Sequence, residues 1–192
     1  MPKLWDETVD AHRHAVREAI IAAAWDLAAE HGLTAVTMSQ IAQRAGIGRA
    51  TLYKYFPDTQ TILVAWHQQH LAAHLAQLTE LSQRPGTPAQ RLEAVLTGYA
   101  FISFHQAGHA PELVSTLHKG DHVAAVQRQL AGLVTKLLTA VSAESGGLRK
   151  DVPQGELAEF CLHALSAARS LKSQAAVHRL VGVTVSALRP QP

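Results

Sequence analysis

Residues 37–56 read Thr37-Met-Ser-Gln-Ile-Ala-Gln-Arg-Ala-Gly-Ile-Gly-Arg-Ala-Thr-Leu-Tyr-Lys-Tyr-Phe56. Thr37 followed three residues later by Gln40 is a capping box: the Thr hydroxyl accepts from the third helical amide while Gln40 reaches back to the cap. The helix so started is short, because Gly46-Ile47-Gly48 soon supplies a turn. Arg49 to Tyr55 forms a second short helix, closed by Pro57, and Ile41, Ala42, Ala45, Ile47, Leu52 and Phe56 supply a small core between the two. A helix, a tight glycine-containing turn and a helix is the arrangement that presents the start of its second helix to the DNA major groove, with the first lying across the backbone. Such a surface needs cations without competing carboxylates, hydroxyls or amides for phosphates and base edges, and a small residue at close approach. The block holds Arg44, Arg49 and Lys54 and no acid, although Asp26 and Glu30 precede it and Asp58 follows it. Tyr53, an aromatic ring on a polar helix, has no core reason to be there.

Working outward, Val16, Ile20, Ala23, Ala24 and Leu27 recur at three- and four-residue steps and predict a helix over about 9–30, ended at His31-Gly32. On the other side, Asp58 is an N-cap for a long helix to about Gln83, interrupted by Arg84-Pro-Gly-Thr-Pro88. Further helices are predicted over about 88–106, 111–118, 121–143, 154–172 and 174–188, and no stretch reads as a strand or an internal repeat. The fold class is all-α: a three-helix, helix-turn-helix DNA-binding domain over 1–57, then a helical bundle over 58–192.

Composition bounds the rest. The chain has 192 residues, 47% of them hydrophobic and 17% charged, which is enough apolar material for a packed core and excludes intrinsic disorder. Seventeen Lys and Arg against 15 Asp and Glu leave a formal charge of +2, so a nucleic-acid surface has to be local. The single cysteine, Cys161, excludes an internal disulfide framework and a thiolate zinc cage. No apolar run approaches the roughly 20 residues that span a bilayer, and the first ten residues lack an apolar signal stretch, so the expectation is a cytoplasmic protein with no membrane partner.

The block 37–56, with the preceding Glu30-His31-Gly32-Leu33, resembles the signature of the TetR family of bacterial transcriptional regulators, over roughly residues 13 to 64. The resemblance implies a dimeric, all-helical one-component regulator, a repressor that binds a pseudo-palindromic double-stranded operator and is released by a small apolar or amphipathic effector. Carried over by position, it implies that Thr37, Tyr53 and Tyr55 contact phosphates, that Arg49, Ala50 and Thr51 lie nearest the base edges, that Arg44 and Lys54 add charge, and that Gly48 permits close backbone approach. Thr59 stands where the family usually carries a lysine. A rival reading is a small-molecule or metal-binding helical module with little specific DNA binding.

Beyond residue 58 no phosphate loop, catalytic triad order or paired carboxylates can be found, and the protein is not read as an enzyme. Cys161 and His163 point to different helix faces and cannot act as a local nucleophile and base. Trp66, Tyr99, Phe101, Phe104 and His105 either belong to an ordinary core or line a ligand cavity, and the resemblance favours the cavity. Of 12 histidines, His67, His70 and His74 share one helix face, while His105/His109 and His118/His122 are i, i+4 pairs. Such spacings suit transition metals, yet no carboxylate or cysteine completes a site, so neither a metal nor a cofactor is expected. Stripes on the last two helices (Leu157, Phe160, Ala164, Leu165 and Ala168; Val177, Leu180, Val181, Thr184 and Leu188) leave too little polar surface for both to be fully solvated. In the resembled family, the corresponding pair forms the dimer interface.

Overall fold

The computed structural model describes residues 3–32, 35–105, 121–145 and 147–190. These form eight α-helices: α1 (Lys3–His31), α2 (Met38–Arg44), α3 (Arg49–Tyr55), α4 (Thr59–Ser82), α5 (Pro88–His105), α6 (Asp121–Ser145), α7 (Gln154–Ser166) and α8 (Gln174–Ala187). A 3-10 turn, Ala167–Ser170, follows α7, and no strand occurs among the described residues. The helix expected over 111–118 lies outside the described residues.

Two boundaries differ from the sequence reading. Helix α1 starts at Lys3 rather than near Val9, since no glycine or proline interrupts residues 3–31. The helix expected over 154–172 stops at Ser166 and tightens into the 3-10 turn. There the hydroxyls of Ser166 and Ser170 donate to the carbonyls of His163 (2.7 Å) and Ala167 (2.8 Å), competing with the regular ladder.

The chain divides into two compact units, the first reaching His70 and the second beginning at Leu71 within α4. In the first, α1 gives Ile20, Ala24 and Leu27, α2 gives Ile41, α3 gives Leu52 and α4 gives Ile62 to one buried cluster. That cluster continues through Leu63 and Ala65, so the start of α4 packs with the helix-turn-helix although the sequence places the division at 57/58. Trp25 and Trp66 stack with ring centroids 3.5 Å apart and 5° between planes, tying α1 to α4, and His70 stacks on Trp66 at 4.6 Å.

In the second unit, α5 packs against α6, α7, the 3-10 turn and α8. Val95, Leu96 and Ala100 of α5 meet Val134 and Leu138 of α6, Cys161 and Leu165 of α7, and Val177 of α8. Most of both predicted stripes is therefore internal core: Leu157, Leu165, Ala168, Val177, Val181, Thr184 and Leu188 are buried. Phe160 points outward instead, 46% exposed, and so does Val183 at 68%. The chain before α7 is anchored at Arg149, whose amide donates to the Leu188 carbonyl (2.9 Å) and whose guanidinium grips Asp151.

Candidate nucleic-acid interface and cavity

The capping box at Thr37 forms as expected, and it engages the Thr37 side chain more fully than the pattern requires. The Gln40 amide donates to Thr37 Oγ1 (3.4 Å), the Thr37 amide donates to Gln40 Oε1 (2.9 Å), and the Thr37 hydroxyl donates to that same oxygen (2.6 Å). Gly46 has φ +69°, the left-handed conformation that glycine adopts without steric cost. Gly48, the N-cap of α3, has φ −71°, and a β-carbon there would meet nothing nearer than Thr51 Oγ1 at 3.9 Å. Inside the protein an alanine would therefore fit sterically at Gly48, where glycine is favoured as the N-cap of α3.

Helix α3 buries Leu52 completely and turns Arg49, Ala50, Tyr53 and Lys54 to solvent, with Tyr53 49% exposed. Thr51 is half-buried, and Tyr55 is half-buried against the N-terminal core, which leaves its ring less free for a partner than that of Tyr53. Neither Arg49 nor Lys54 forms an ion pair among the described residues. Arg44 differs. Its two terminal nitrogens donate to both carboxylate oxygens of Glu30, at 3.0 and 2.8 Å. The Arg44 hydrogen bonds hold the Glu30 carboxyl below the usual range. The flanking acid thus reaches into the block, and the charge of Arg44 is balanced within the protein. Asp58 is likewise engaged: it caps α4 by accepting from the Thr61 amide (2.7 Å) and hydroxyl (2.8 Å), which lowers its pKa.

In the second unit a cavity of about 480 Å³ is lined by Tyr99 of α5, Gln127 and Arg128 of α6, Glu159 and His163 of α7, and Arg169 of the 3-10 turn. A smaller chamber of about 90 Å³ shares Tyr99, Gln127, Leu130 and Arg169 with it and is otherwise lined mainly by apolar side chains, including Leu71, Leu75, Leu78, Val123 and Val126. Tyr99 stands in the shared wall, hydrogen-bonded to the buried Ser103; burial pushes its phenol up, against the opposing pull of Arg169. Of the five residues proposed from the sequence to meet a ligand, Tyr99 lines these chambers. Phe101 packs its ring edge on His178 (5.1 Å), Phe104 lies beside His105, and the exposed His105 holds its Nδ1 2.7 Å from the Phe101 carbonyl. Trp66 belongs to the N-terminal stack. Sequence reasoning missed Gln127, Arg128 and Arg169, because helical periodicity reports which face is apolar and not which polar residue stands at a cavity mouth. Among the described residues no three His, Cys, Asp or Glu side chains converge as metal ligands, and no helix is long and apolar enough to cross a membrane.

The model of the bacterial regulatory proteins of the tetR family matches residues 20–66, the segment holding the end of α1, the helix-turn-helix and the start of α4. The HTH-type transcriptional regulator BetI of Rhizobium meliloti is 30% identical over 115 residues, 60% of this chain and 52% of that protein. The chain spans between about a third and a half of the length of the first curated relatives it matches. A TetR/AcrR-family regulator from Thermobifida fusca superposes with a TM-score of 0.73 at 20% identity, over 90% of this chain and 98% of that one. Thermus thermophilus FadR, a TetR-family repressor solved in complex with lauroyl-CoA, gives 0.56 at 19% identity, over 92% and 96%. At these identities the structural likeness is one of fold, and it extends over the second unit, where the family model has no match. Residues 20–66 thus match the tetR family in sequence, and about nine-tenths of the chain shares its fold with a regulator of that family.

Proposed function

We propose that the protein is a cytoplasmic one-component transcriptional repressor, not an enzyme, that binds a pseudo-palindromic operator as a homodimer and is released by a small amphipathic effector. The observation that carries this reading is the outward face of α3, where Arg49, Ala50, Tyr53 and Lys54 stand clear of the core and the two cations lack carboxylate partners among the described residues. A guanidinium at the start of a recognition helix is suited to a bidentate contact with guanine, and an exposed phenol to a phosphate. Gly48 caps the start of that helix and the half-buried Thr51 follows, while Thr37, at the cap of α2, is a further phosphate contact in this reading.

Phe160 on α7 and Val183 on α8 are large apolar side chains left in water, and Gly182 beside Val183 permits close approach. A second copy is the partner we assign to them, since two-fold pairing presents two reading heads to the two half-sites of one operator. The effector reading is supported by the cavity around Tyr99 and by the lauroyl-CoA bound to the FadR relative.

The test is selection of fragments from the host genome on purified protein across a range of salt. Enrichment of a pseudo-palindrome supports the proposal; retention that is blind to sequence refutes it and favours the ligand-binding module. Arg49→Ala and Tyr53→Ala should each weaken operator binding by about 1–3 kcal/mol while leaving effector affinity unchanged.

A further inference from the structure

The two chambers of the second unit differ in chemistry, and their shared wall is polar. The inner one is walled mainly by leucine and valine, with His74 and the buried Ser103 as polar groups, whereas the outer one adds Arg128, Glu159 and His163 to the Arg169 they share. Glu159 lies 3.7 Å from His163 on the same helix, so its charge has a neighbour when the imidazole is protonated. Arg169 and Arg128 form no ion pair among the described residues. The Arg169 charge reaches Tyr99, whose phenol is kept protonated by burial and so retains an O–H. A guanidinium and a hydroxyl in one wall, next to an apolar chamber, suit a group that only accepts hydrogen bonds and carries a negative charge. An ammonium would face the Arg169 guanidinium in that shared wall, and a polyphosphate would find no further arginine or lysine lining the apolar chamber.

We propose that the effector is a small monocarboxylate with an apolar body, its head held by Arg169 and the Tyr99 hydroxyl and its apolar end placed in the chamber lined by Leu71, Leu75, Leu78 and Val126. Arg128 at the rim adds attraction at longer range. This names the ligand class for the effector reading and rests on that reading for the ligand's regulatory role; the binding itself is independent of DNA.

The experiment is calorimetric titration of the full chain, without DNA, with hexanoate, octanoate and phenylacetate, each beside its uncharged amide, and with octylamine. The expected result is saturable binding of at least one carboxylate, about tenfold or more tighter than its amide, and no binding of the amine. Arg169→Gln should bring carboxylate and amide to within about twofold, and Arg169→Lys should restore part of the preference, since it keeps the charge but not the fork. Arg169 is exposed, and unchanged thermal unfolding of both variants verifies that the fold is intact. Absence of saturable binding by every carboxylate up to millimolar concentrations overturns the proposal. So does an amide that binds as well as its acid, or a preference that survives Arg169→Gln. Carboxylate binding by a chain that selects no operator would leave this site standing and remove the regulator; operator selection without carboxylate preference would do the reverse.

Discussion

Replacing Glu30 by glutamine should increase the number of phosphates this protein neutralises. In the folded chain both oxygens of Glu30 accept from Arg44, at 3.0 and 2.8 Å, and both side chains remain substantially open to water. Glu30→Gln keeps the shape and removes the charge, leaving the Arg44 guanidinium at the end of α2 without its bidentate partner and with only the more distant charge of Asp26 nearby. The logarithm of DNA affinity falls against that of salt with a slope of about −0.9 per phosphate neutralised. One freed arginine per subunit therefore steepens the slope by about 0.9, and a dimer by about 1.8. Between about 50 and about 200 mM salt, a fourfold range, the ratio of affinities should grow by about 3.5-fold per subunit and about 12-fold for the dimer. Fluorescence anisotropy of a labelled operator, titrated at several salt concentrations, reads the slope directly. The double variant Glu30→Gln with Arg44→Gln carries the same net charge as the parent and should return to its slope. An unchanged slope in the single variant, or equal steepening in the double variant where no arginine is present, would refute the claim that Glu30 withholds Arg44 from DNA.

Gly46→Ala forces a methyl onto a residue at φ +69° and should cost about 1 kcal/mol, read as a lower melting temperature, whereas Gly48→Ala at φ −71° meets no clash, should lose only the preference of an N-cap for glycine over alanine, and should bind operator more weakly. Cys161 is fully buried, and burial pushes its thiol up to about 11, so thiol reagents should leave the native protein unmodified at neutral pH. Because the unfolded chain loses that proton first, near its ordinary value of 9.0, stability should fall by on the order of 3 kcal/mol as pH rises from there to about 11. Denaturation of Cys161→Ala across the same range should lack this component. Phe160→Glu with Val183→Asp should convert a dimer to monomers in sedimentation velocity while preserving helicity, and a dimer that persists would place the interface elsewhere.

What the sequence made legible follows the range of the interactions involved. Thr37 with Gln40 and Asp58 with Thr61 are contacts three residues apart, and both caps form as the pattern predicts. Leu52 and Ile41 sit at the inward positions of short helices, where periodicity alone identifies the core. Glu30 with Arg44 is a contact across 14 residues and a change of direction, so the acid-free appearance of 37–56 concealed an acid supplied by α1. The stripes of α7 and α8 announce faces that cannot both be solvated, and α5 covers most of them, since a stripe cannot say which neighbour it meets. The aromatics of α5 show the same limit. Tyr99 reaches the chambers while Phe101 and Phe104 pack on neighbouring rings and core, because residues two and five further along a helix face different directions.

The position of Arg169 gives the effector a physical means of acting. It stands on the 3-10 turn that follows α7, and short 3-10 segments of this kind are common as connectors between helices. That turn also leads to α8, so an anion gripped by Arg169 acts on the two helices that carry Phe160 and Val183. An effector can release operator only if it binds the DNA-competent and DNA-incompetent states unequally; equal affinity shifts nothing, however tight. The coupling is reciprocal, so the factor by which a carboxylate weakens operator binding must equal the factor by which operator weakens the carboxylate. Titrating the carboxylate against free and operator-bound dimer measures the second factor, and anisotropy with and without it measures the first. A carboxylate bound with the same affinity in both states would be a ligand of the cavity and not the effector.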